Sequence, residues 1–292
     1  KLSSTLSQDE LLHLLPGKLS GTQLGVLYSA LKKLDQFSFS GLMLELEKDE
    51  SNAKWGIMNL VDYFQNMSIF SDTPTPHQEL LAPGTMSLLS LKGVNPETQE
   101  ILVFKVCKDL FELRKLNRIP PFFLVVEEAH NYCPERSFGE AKSSKILRTI
   151  ASEGRKFGLG LCIVSQRPAR VDKSVLSQCT TQIILKVTNP HDLKAVSASV
   201  EGLTSSSERE IQNLPIGSAL VCGMVDIPLF VTVRPRRSQH GGHAVEMLAQ
   251  EDFFSQVDKF VELLPVVKPP VSPRDVALMS EDPVQVRTIL VP

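Results

Sequence analysis

Two consecutive carboxylates follow an apolar run in the middle of the chain. The segment from Phe122 to His130 reads FFLVVEEAH, so Glu127 and Glu128 come directly after five apolar residues. Such a run predicts a strand of a buried parallel sheet, and these sheets bind ligands at the carboxyl ends of their strands. In phosphoryl-transfer enzymes one acid at this edge holds Mg²⁺, usually through water, and a neighbouring carboxylate orients and deprotonates the attacking water. We assign the first role to Glu127 and the second to Glu128. The alternative is a strand end with two solvated glutamates.

An arginine stands where the next predicted helix ends. The segment from Ile150 to Gly158 reads IASEGRKFG and contains Arg155 and Lys156. Cationic side chains favour a helix C-terminus because of the helix dipole, so simple capping is one interpretation. The other is an arginine finger, which reaches the γ-phosphate of a nucleotide on an adjacent subunit and accelerates hydrolysis by about 10³ to 10⁵. Lysine lacks the bidentate geometry of arginine, so this hypothesis concerns Arg155.

An amide stands at the end of the strand that follows. The segment from Ile163 to Cys179 reads IVSQRPARVDKSVLSQC, in which Gln166 ends the apolar part. An amide on a strand beside the two glutamates could contact both the γ-phosphate and the attacking water, so Gln166 is a candidate sensor. Arg167 and Arg170 stay ambiguous, because they could steady phosphate, contact DNA or lie in solvent.

A series of βα units is predicted to position these residues. From Thr85 onward, short β-rich apolar runs alternate with amphipathic helices, which is typical of a mostly parallel sheet in an α/β fold. Strands are predicted at Met86–Leu91, Phe122–Val126, Leu161–Ser165, Gln182–Val187, Ala219–Met224 and Leu229–Val233, and helices at Glu97–Leu116, Gly139–Phe157, Lys173–Gln178, Asp192–Val200 and Ser206–Leu214. The last two strands could form an antiparallel hairpin at the edge of the sheet.

The region before these units is predicted to be an all-helical subdomain, residues 1–80. Apolar residues recur there at spacings of three and four, and Ser20 can cap the second helix. The segment from Ser71 to Gly84 is rich in proline and turn-forming residues, so the boundary with the core, residues 81–235, falls within it.

The region after the core, residues 236–292, is predicted to be a linker and an extended arm. A basic connector and an amphipathic stretch from Val245 to Leu264 precede a proline-rich end. Prolines at 269, 270, 273 and 283 disfavour a regular helix or a central strand. We expect this arm to pack across the domain or onto a neighbouring subunit.

Composition excludes several classes of protein. Hydrophobic residues make up 42% and charged residues 22% of the 292 residues, which is typical of a soluble globular protein. The net charge of -2 gives no global basic signature, so any contact with nucleic acid must be local. The five cysteines are scattered, which predicts reduced thiols and a cytoplasmic protein, and no apolar run is long enough for a membrane span.

Four runs together resemble the HerA family of hexameric DNA helicase-translocases. They are EEAHNY, SEGRKFG, SQRPARVDKSVLSQC and QIILKVTNPHDL, and the resemblance covers residues 85 to 234. It implies a RecA-like P-loop NTPase core, a six-membered ring around double-stranded DNA, ATP and Mg²⁺ as ligands, and partnership with a NurA-type nuclease in DNA end processing. The helical region is similar to the family's insertion subdomain, and the proline-rich end is similar to its C-terminal brace.

The resemblance also implies a role for each candidate residue. Glu127 matches the Walker B acid, Glu128 the catalytic glutamate, Arg155 the arginine that acts on the neighbouring subunit, and Gln166 the sensor. Glu127 departs slightly from other P-loop ATPases, many of which have aspartate there.

One motif of the family is missing. No GxxxxGK[ST] sequence occurs, and the partial match around Gly17 and Lys18 has no upstream glycine and no preceding strand. Because the family's P-loop precedes its helical insertion, we expect this chain to be a fragment that begins after the P-loop. We expect it to bind nucleotide poorly and to be inactive by itself.

Candidates for DNA contact are few. The polar segment from Asn131 to Lys145 follows the Walker B strand and predicts a mobile loop that could face the channel of a ring, with Lys142 and Lys145 as cations. The densest basic cluster is Arg234, Arg236 and Arg237. The alternatives are a plain surface loop, and pairing of the arginines with acids of a neighbour.

The sequence therefore predicts part of an ATP-driven DNA translocase or helicase that acts in DNA repair. One alternative is a conjugation or secretion ATPase with the same ring motor. A second alternative is a non-catalytic scaffold that recruits a nuclease.

Overall fold

The computed structural model describes residues 1–237, except residues 5, 16, 18, 68, 72, 201, 202, 204, 225 and 226, and also residues 285–290. For residues 205, 206 and 285–290 it describes the backbone alone. Most of the predicted arm, including its amphipathic stretch, lies outside the described residues.

The first part of the chain is helical, as its periodicity predicts. It contains α1 (Gln8–Leu14), α2 (Gly21–Lys32), α3 (Phe39–Glu47) and α4 (Lys54–Asn66), and a short parallel pair of strands, β1 (Leu2–Ser3) and β2 (Phe70–Ser71), joins its two ends. Ser7, Ser20 and Ser38 each accept a hydrogen bond from a backbone N–H in the first turn of α1, α2 and α3. The predicted cap at Ser20 is confirmed.

The second part alternates strands and helices. Its elements are α5 (His77–Leu80), β3 (Thr85–Ser90), α6 (Pro96–Lys115), β4 (Phe122–Val126), α7 (Ser144–Glu153), β5 (Leu159–Ile163), α8 (Lys173–Leu176), β6 (Gln182–Ile184), α9 (Pro190–Ser199), α10 (Ser205–Gln212), β7 (Ser218–Cys222), β8 (Leu229–Thr232) and β9 (Gln285–Leu290). Each predicted strand and helix has a counterpart. The bounds differ most at α7, which starts five residues later and ends four residues earlier than predicted. β5 lies two residues earlier than predicted, and β6 ends three residues earlier.

The strands pair in both directions. β4 pairs with β5 and β3 with β9 in parallel, whereas β6, β7 and β8 form an antiparallel sheet in that order. The predicted hairpin of the last two core strands, β7 and β8, is confirmed. The antiparallel pairing of β6 with β7, and the strand β9 that follows Pro283, were not predicted.

The helical region and the β4–β5 layer share one hydrophobic core. Buried side chains of α1 and α4, such as Leu14 and Phe64, belong to the same cluster as Ile101 of α6 and Leu147 of α7. A second, smaller cluster lies between the antiparallel sheet and the helices α9 and α10. The boundary near residue 80 is therefore a change of secondary structure without a gap in the apolar interior.

One face of the β4–β5 layer is exposed in this chain. Phe123 and Val125 alternate outward from β4 and are 66% and 52% exposed. The ring of Phe123 lies over Gly160 on the paired strand, where an added Cβ would approach a ring carbon to 2.3 Å. Glycine at position 160 thus lets the aromatic ring cover the neighbouring backbone.

All five cysteines are free thiols. Cys107, Cys133 and Cys222 are buried, and burial raises the pKa of Cys107 to about 12. The helices that the structure describes include none with the length and apolar character that a membrane span requires.

Candidate functional site

The carboxyl ends of β4 and β5 meet at one edge of the sheet. Val126 lies opposite Ile163, and beyond these residues the backbone N–H of Val164 donates to Val126 O at 2.9 Å while that of Ala129 donates to Val164 O at 3.1 Å. The two strands therefore stay joined past their ends. This joining brings the turn with Glu127 and Glu128 next to the turn with Gln166.

Glu128 holds an unusual backbone conformation at this edge. Its φ is +47°, in the left-handed region, and it precedes a 3₁₀ turn at Ala129–Asn131. A residue other than glycine in this region costs roughly 1 to 3 kcal/mol, and such strain concentrates at functional sites. The left-handed residue redirects the chain, so that the Glu128 carboxylate lies against β5.

The Glu128 carboxylate contacts two side chains, one on each oxygen. Gln166 Nε2 donates to Oε1 at 2.9 Å. Oε2 is buried, lies 3.3 Å from Nδ1 of His130 and makes no hydrogen bond. The same Nδ1 is 3.0 Å from the hydroxyl oxygen of Ser165, which also accepts from the backbone N–H of Arg167. The structure thus brings the predicted pair, Glu128 and Gln166, into direct contact.

Glu127 precedes Glu128 and its side chain is exposed at the same edge. Among the described residues no group of three or more His, Cys, Asp or Glu side chains could hold a metal ion by itself. Mg²⁺ does not require such a group when it binds with a nucleotide, because one or two carboxylates, water and phosphate oxygens complete its shell. An exposed glutamate beside a second carboxylate fits that kind of site.

Arg155 lies near the amino ends of β4 and β5, opposite to the ends that carry Glu128 and Gln166. It is exposed and belongs to a 3₁₀ turn at Gly154–Phe157. This turn comes before Leu159, the first residue of β5, which pairs with Phe122 at the start of β4. The five-residue strand alone separates the two edges by about 13 Å, at ~3.3 Å per residue. Arg155 therefore cannot contact Glu128 of its own chain.

The arginines after β5 differ in their surroundings. Arg170 ends a 3₁₀ turn at Pro168–Arg170, and its guanidinium lies 5.2 Å from the centre of the exposed Phe138 ring. Arg167 is exposed, and its backbone N–H fixes Ser165.

The polar loop after β4 is anchored, in contrast to the predicted mobility. Cys133 is fully buried and its carbonyl accepts from Asp172 N, and Glu135 N donates to Arg170 O. The isolated bridge between Pro134 and Val171 lies between these bonds. The loop is thus attached to the segment that follows β5.

Lys142 and Lys145 have different environments. The ammonium group of Lys142 is half-buried and donates to the carbonyls of His13 and Leu15 at the end of α1, at 3.2 and 2.5 Å. His13 Nε2 in turn lies 2.7 Å from the Lys142 carbonyl oxygen. These contacts argue against the prediction that Lys142 binds DNA, whereas Lys145 is exposed.

Arg234, Arg236 and Arg237 follow β8 and are all exposed. The Arg234 Nη1 atom donates to the carbonyl of Pro235 at 3.0 Å. Of these three arginines, none forms an ion pair with another described residue at 4.0 Å or less.

An ion pair that the sequence did not reveal joins α7 to α8. Arg148 Nε donates to Asp172 Oδ2 at 2.8 Å, and Asp172, almost fully buried, also caps α8 through Ser174 N. Burial raises the pKa of Asp172, but the bonds from Arg148 and Ser174 outweigh it and hold the pKa below its ordinary value. The pair supports the loop on which Arg170 lies.

His130 and Ser165 were also missed as site residues. His130 stands in the EEAHNY run, but its contact with Glu128 depends on the left-handed turn, which no spacing in the sequence reveals.

The chain is similar to several helicases. No family model matches it. A probable helicase from Methanocaldococcus jannaschii is 31% identical over 220 residues, which cover 72% of this chain and 42% of that protein. The DNA double-strand break repair helicase HerA from Saccharolobus solfataricus is 30% identical over 226 residues, which cover 69% of this chain and 44% of that protein. The chain thus spans less than half the length of these relatives.

One solved structure supports the fold. VirB4 of Thermoanaerobacter pseudethanolicus superimposes with a TM-score of 0.53 at 13% identity, and the match covers 78% of this chain and 67% of that one. At this identity the likeness concerns the fold alone. The predicted fold class, an α/β fold with a RecA-like core and parallel strands, is confirmed.

Proposed function

Because the chain belongs to the HerA family of helicases, we propose that it supplies part of the ATPase site of a ring-shaped DNA translocase. The observation that carries this proposal is the Glu128 carboxylate at the carboxyl edge of β4, bonded through Oε1 to the amide of Gln166. Glu127 stands exposed beside it. A carboxylate, an amide and a second carboxylate at one sheet edge are among the groups that P-loop enzymes use to hydrolyse a phosphoanhydride.

Each residue has a distinct task in this proposal. Glu128 orients the attacking water and accepts its proton. Gln166 contacts that water and the γ-phosphate, so its amide leaves Glu128 when nucleotide binds. Glu127 would hold Mg²⁺ through water, and the ion would neutralise charge on the phosphates. The phosphate-cradling loop would come from a part of the protein outside this chain, so the chain alone would be inactive.

Arg155 would serve a neighbouring subunit. Arg155 lies at the opposite end of the strands from Glu128, which argues against a role in the same active site. This position supports a ring in which Arg155 of one subunit faces Glu128 of the next. A guanidinium there would stabilise the charge that develops on the γ-phosphate. A hexameric ring around duplex DNA, in the cytoplasm and with a NurA-type nuclease as partner, completes the proposal.

ATPase assays of the protein that contains this chain test the active site. Glu128→Gln and Arg155→Ala should each lose nearly all turnover, while Arg155→Ala still binds ATP. Arg118→Ala, which removes an exposed arginine elsewhere, should keep normal turnover. If both site variants hydrolyse ATP at the normal rate, the chain is a scaffold and not part of a motor.

Mixing the two inactive variants tests the sharing of a site between subunits. A mixed ring contains interfaces in which an intact Glu128 faces an intact Arg155, so partial recovery of turnover is expected. No recovery at any mixing ratio would place Arg155 outside the neighbour's site.

DNA binding can be tested through the exposed cations. Replacing Arg234, Arg236 and Arg237 together with glutamine should weaken duplex binding and reduce its dependence on salt, because each lost phosphate contact lowers the salt slope by about one unit. An unchanged salt dependence would exclude these arginines as DNA ligands.

A further inference from the structure

His130 touches both turns of the candidate site and has no role in the proposed reaction. It lies two residues after Glu128, in the 3₁₀ turn, and its side chain is only 18% exposed. Its Nδ1 atom is 3.3 Å from Glu128 Oε2 on one side and 3.0 Å from Ser165 Oγ on the other. A single nitrogen therefore spans the ends of β4 and β5.

The two oxygens of Glu128 have unequal surroundings. Oε1 accepts a hydrogen bond from Gln166, whose amide is exposed and free to turn toward a ligand. Oε2 is buried, makes no hydrogen bond with any described residue, and lies 3.3 Å from Nδ1 of His130. A buried carboxylate oxygen without a hydrogen-bond partner is costly, so a donor close to it matters for its position.

We propose that His130 is a positioning residue for Glu128. The imidazole of His130 keeps Oε2 in place, so that Oε1 remains the oxygen that receives the proton of the attacking water. Ser165 holds the imidazole in turn, since its hydroxyl contacts Nδ1 and is itself fixed by the backbone N–H of Arg167. The proposal rests on the proposed ATPase function, because positioning matters only if Glu128 is the water-activating group.

Replacing His130 with asparagine or with glutamine tests whether the donor must lie at the position of Nδ1. In histidine Nδ1 is bonded to Cγ, and in asparagine the amide nitrogen is also bonded to Cγ. The glutamine amide nitrogen is one bond farther from the backbone, where Nε2 of histidine lies. Asparagine at position 130 can therefore place a donor near Glu128 Oε2, whereas glutamine and alanine cannot.

Steady-state ATPase kinetics of the protein that contains this chain test the proposal. His130→Ala and His130→Gln should lower kcat by about tenfold to a hundredfold, the usual effect of losing a partner that orients a catalytic group, with KM for ATP nearly unchanged. His130→Asn should recover most of the lost turnover. His191→Ala, an exposed histidine of α9, serves as control and should keep normal turnover.

A Glu128→Gln background separates the two hypotheses. There His130→Ala should cause no further loss, because the group that it positions is already gone. If Glu128→Gln itself keeps normal turnover, the proposed function fails and the role of His130 fails with it. If Glu128→Gln is inactive but His130→Ala has normal kcat, or if His130→Asn is as impaired as His130→Ala, the proposed function stands and the positioning role is overturned.

Discussion

Lys105 of α6 and Glu10 of α1 form an ion pair of 3.0 Å in which both side chains are buried. Asp109 accepts a second bond from the Lys105 ammonium at 2.7 Å, and Lys108 lies 3.3 Å from Glu10. The group joins the helical region to the helix that covers the sheet. Buried charges are costly unless they are paired, so each member depends on the others.

Lys105→Met should lower the free energy of unfolding by about 3 kcal/mol, because it leaves two carboxylates without their buried partner. The measurement is urea denaturation at pH 7. Lys48→Met removes the partner of Glu45 in an exposed pair, where Lys48 is 64% exposed, and should cost less than about 1 kcal/mol. If both variants lose the same free energy of unfolding, the buried pair contributes no more to stability than the exposed pair.

Glu10 should make the free energy of unfolding depend on pH in the acidic range. Burial raises its pKa, but the backbone N–H of Ser7 and the ammonium of Lys105 lower it more, so the pKa in the folded protein lies below the ordinary value of 4.5. The stabilisation is complete above pH 4.5 and is lost as the pH falls through the lower folded value. In urea titrations between pH 6 and pH 3, Glu10→Gln should flatten the decline. Glu47→Gln, at an exposed site, should not flatten it.

Gly154 should tolerate no side chain beneath Arg155. An added Cβ would lie 2.9 Å from the carbonyl oxygen of Leu159, which cannot move without disturbing β5. Gly154→Ala should therefore lower the free energy of unfolding by about 1 to 3 kcal/mol and displace the turn that carries Arg155. Gly21→Ala adds the same atom at a place with no neighbour within 4 Å, and should not destabilise the protein. Thermal unfolding of the two variants provides the comparison.

At position 128, a glycine variant should be more stable than an alanine variant, which is the reverse of the order inside a helix. At a φ of +47° alanine is strained and glycine is not, so Glu128→Gly should be more stable than Glu128→Ala by roughly 1 kcal/mol. At Ser29, an exposed site inside α2, alanine should be the more stable by about the same amount. The same order at both sites would mean that the backbone at 128 is not left-handed in solution.

The sequence predicts those features that depend on local patterns. β4 has the bounds that its apolar run indicates, since Pro121 and Glu127 enclose it, and parallel strands place Glu128 near Gln166. Long-range pairing has no such pattern. The antiparallel direction of β6 depends on a partner far along the chain, and residues of the predicted helix before Ser144 are instead held in the loop after β4.

Details of the site depend on backbone geometry that composition does not reveal. His130 reaches Glu128 because Glu128 itself turns left-handed, a conformation that glutamate rarely adopts. Lys142 was predicted as a candidate for DNA contact, but its ammonium group donates to carbonyls at the end of α1. The nearest of these, Leu15, lies 127 residues earlier in the sequence. In both cases a tertiary contact decides the role of the residue.

The apolar interior that runs from α1 and α4 to α6 and α7 has a consequence for how the protein denatures. Neither the helices before residue 80 nor the β4–β5 layer can lose its packing without exposing the apolar surface of the other. The two regions should therefore melt in one cooperative transition, and cleavage in the proline-rich segment between them should yield two pieces that remain associated until both unfold.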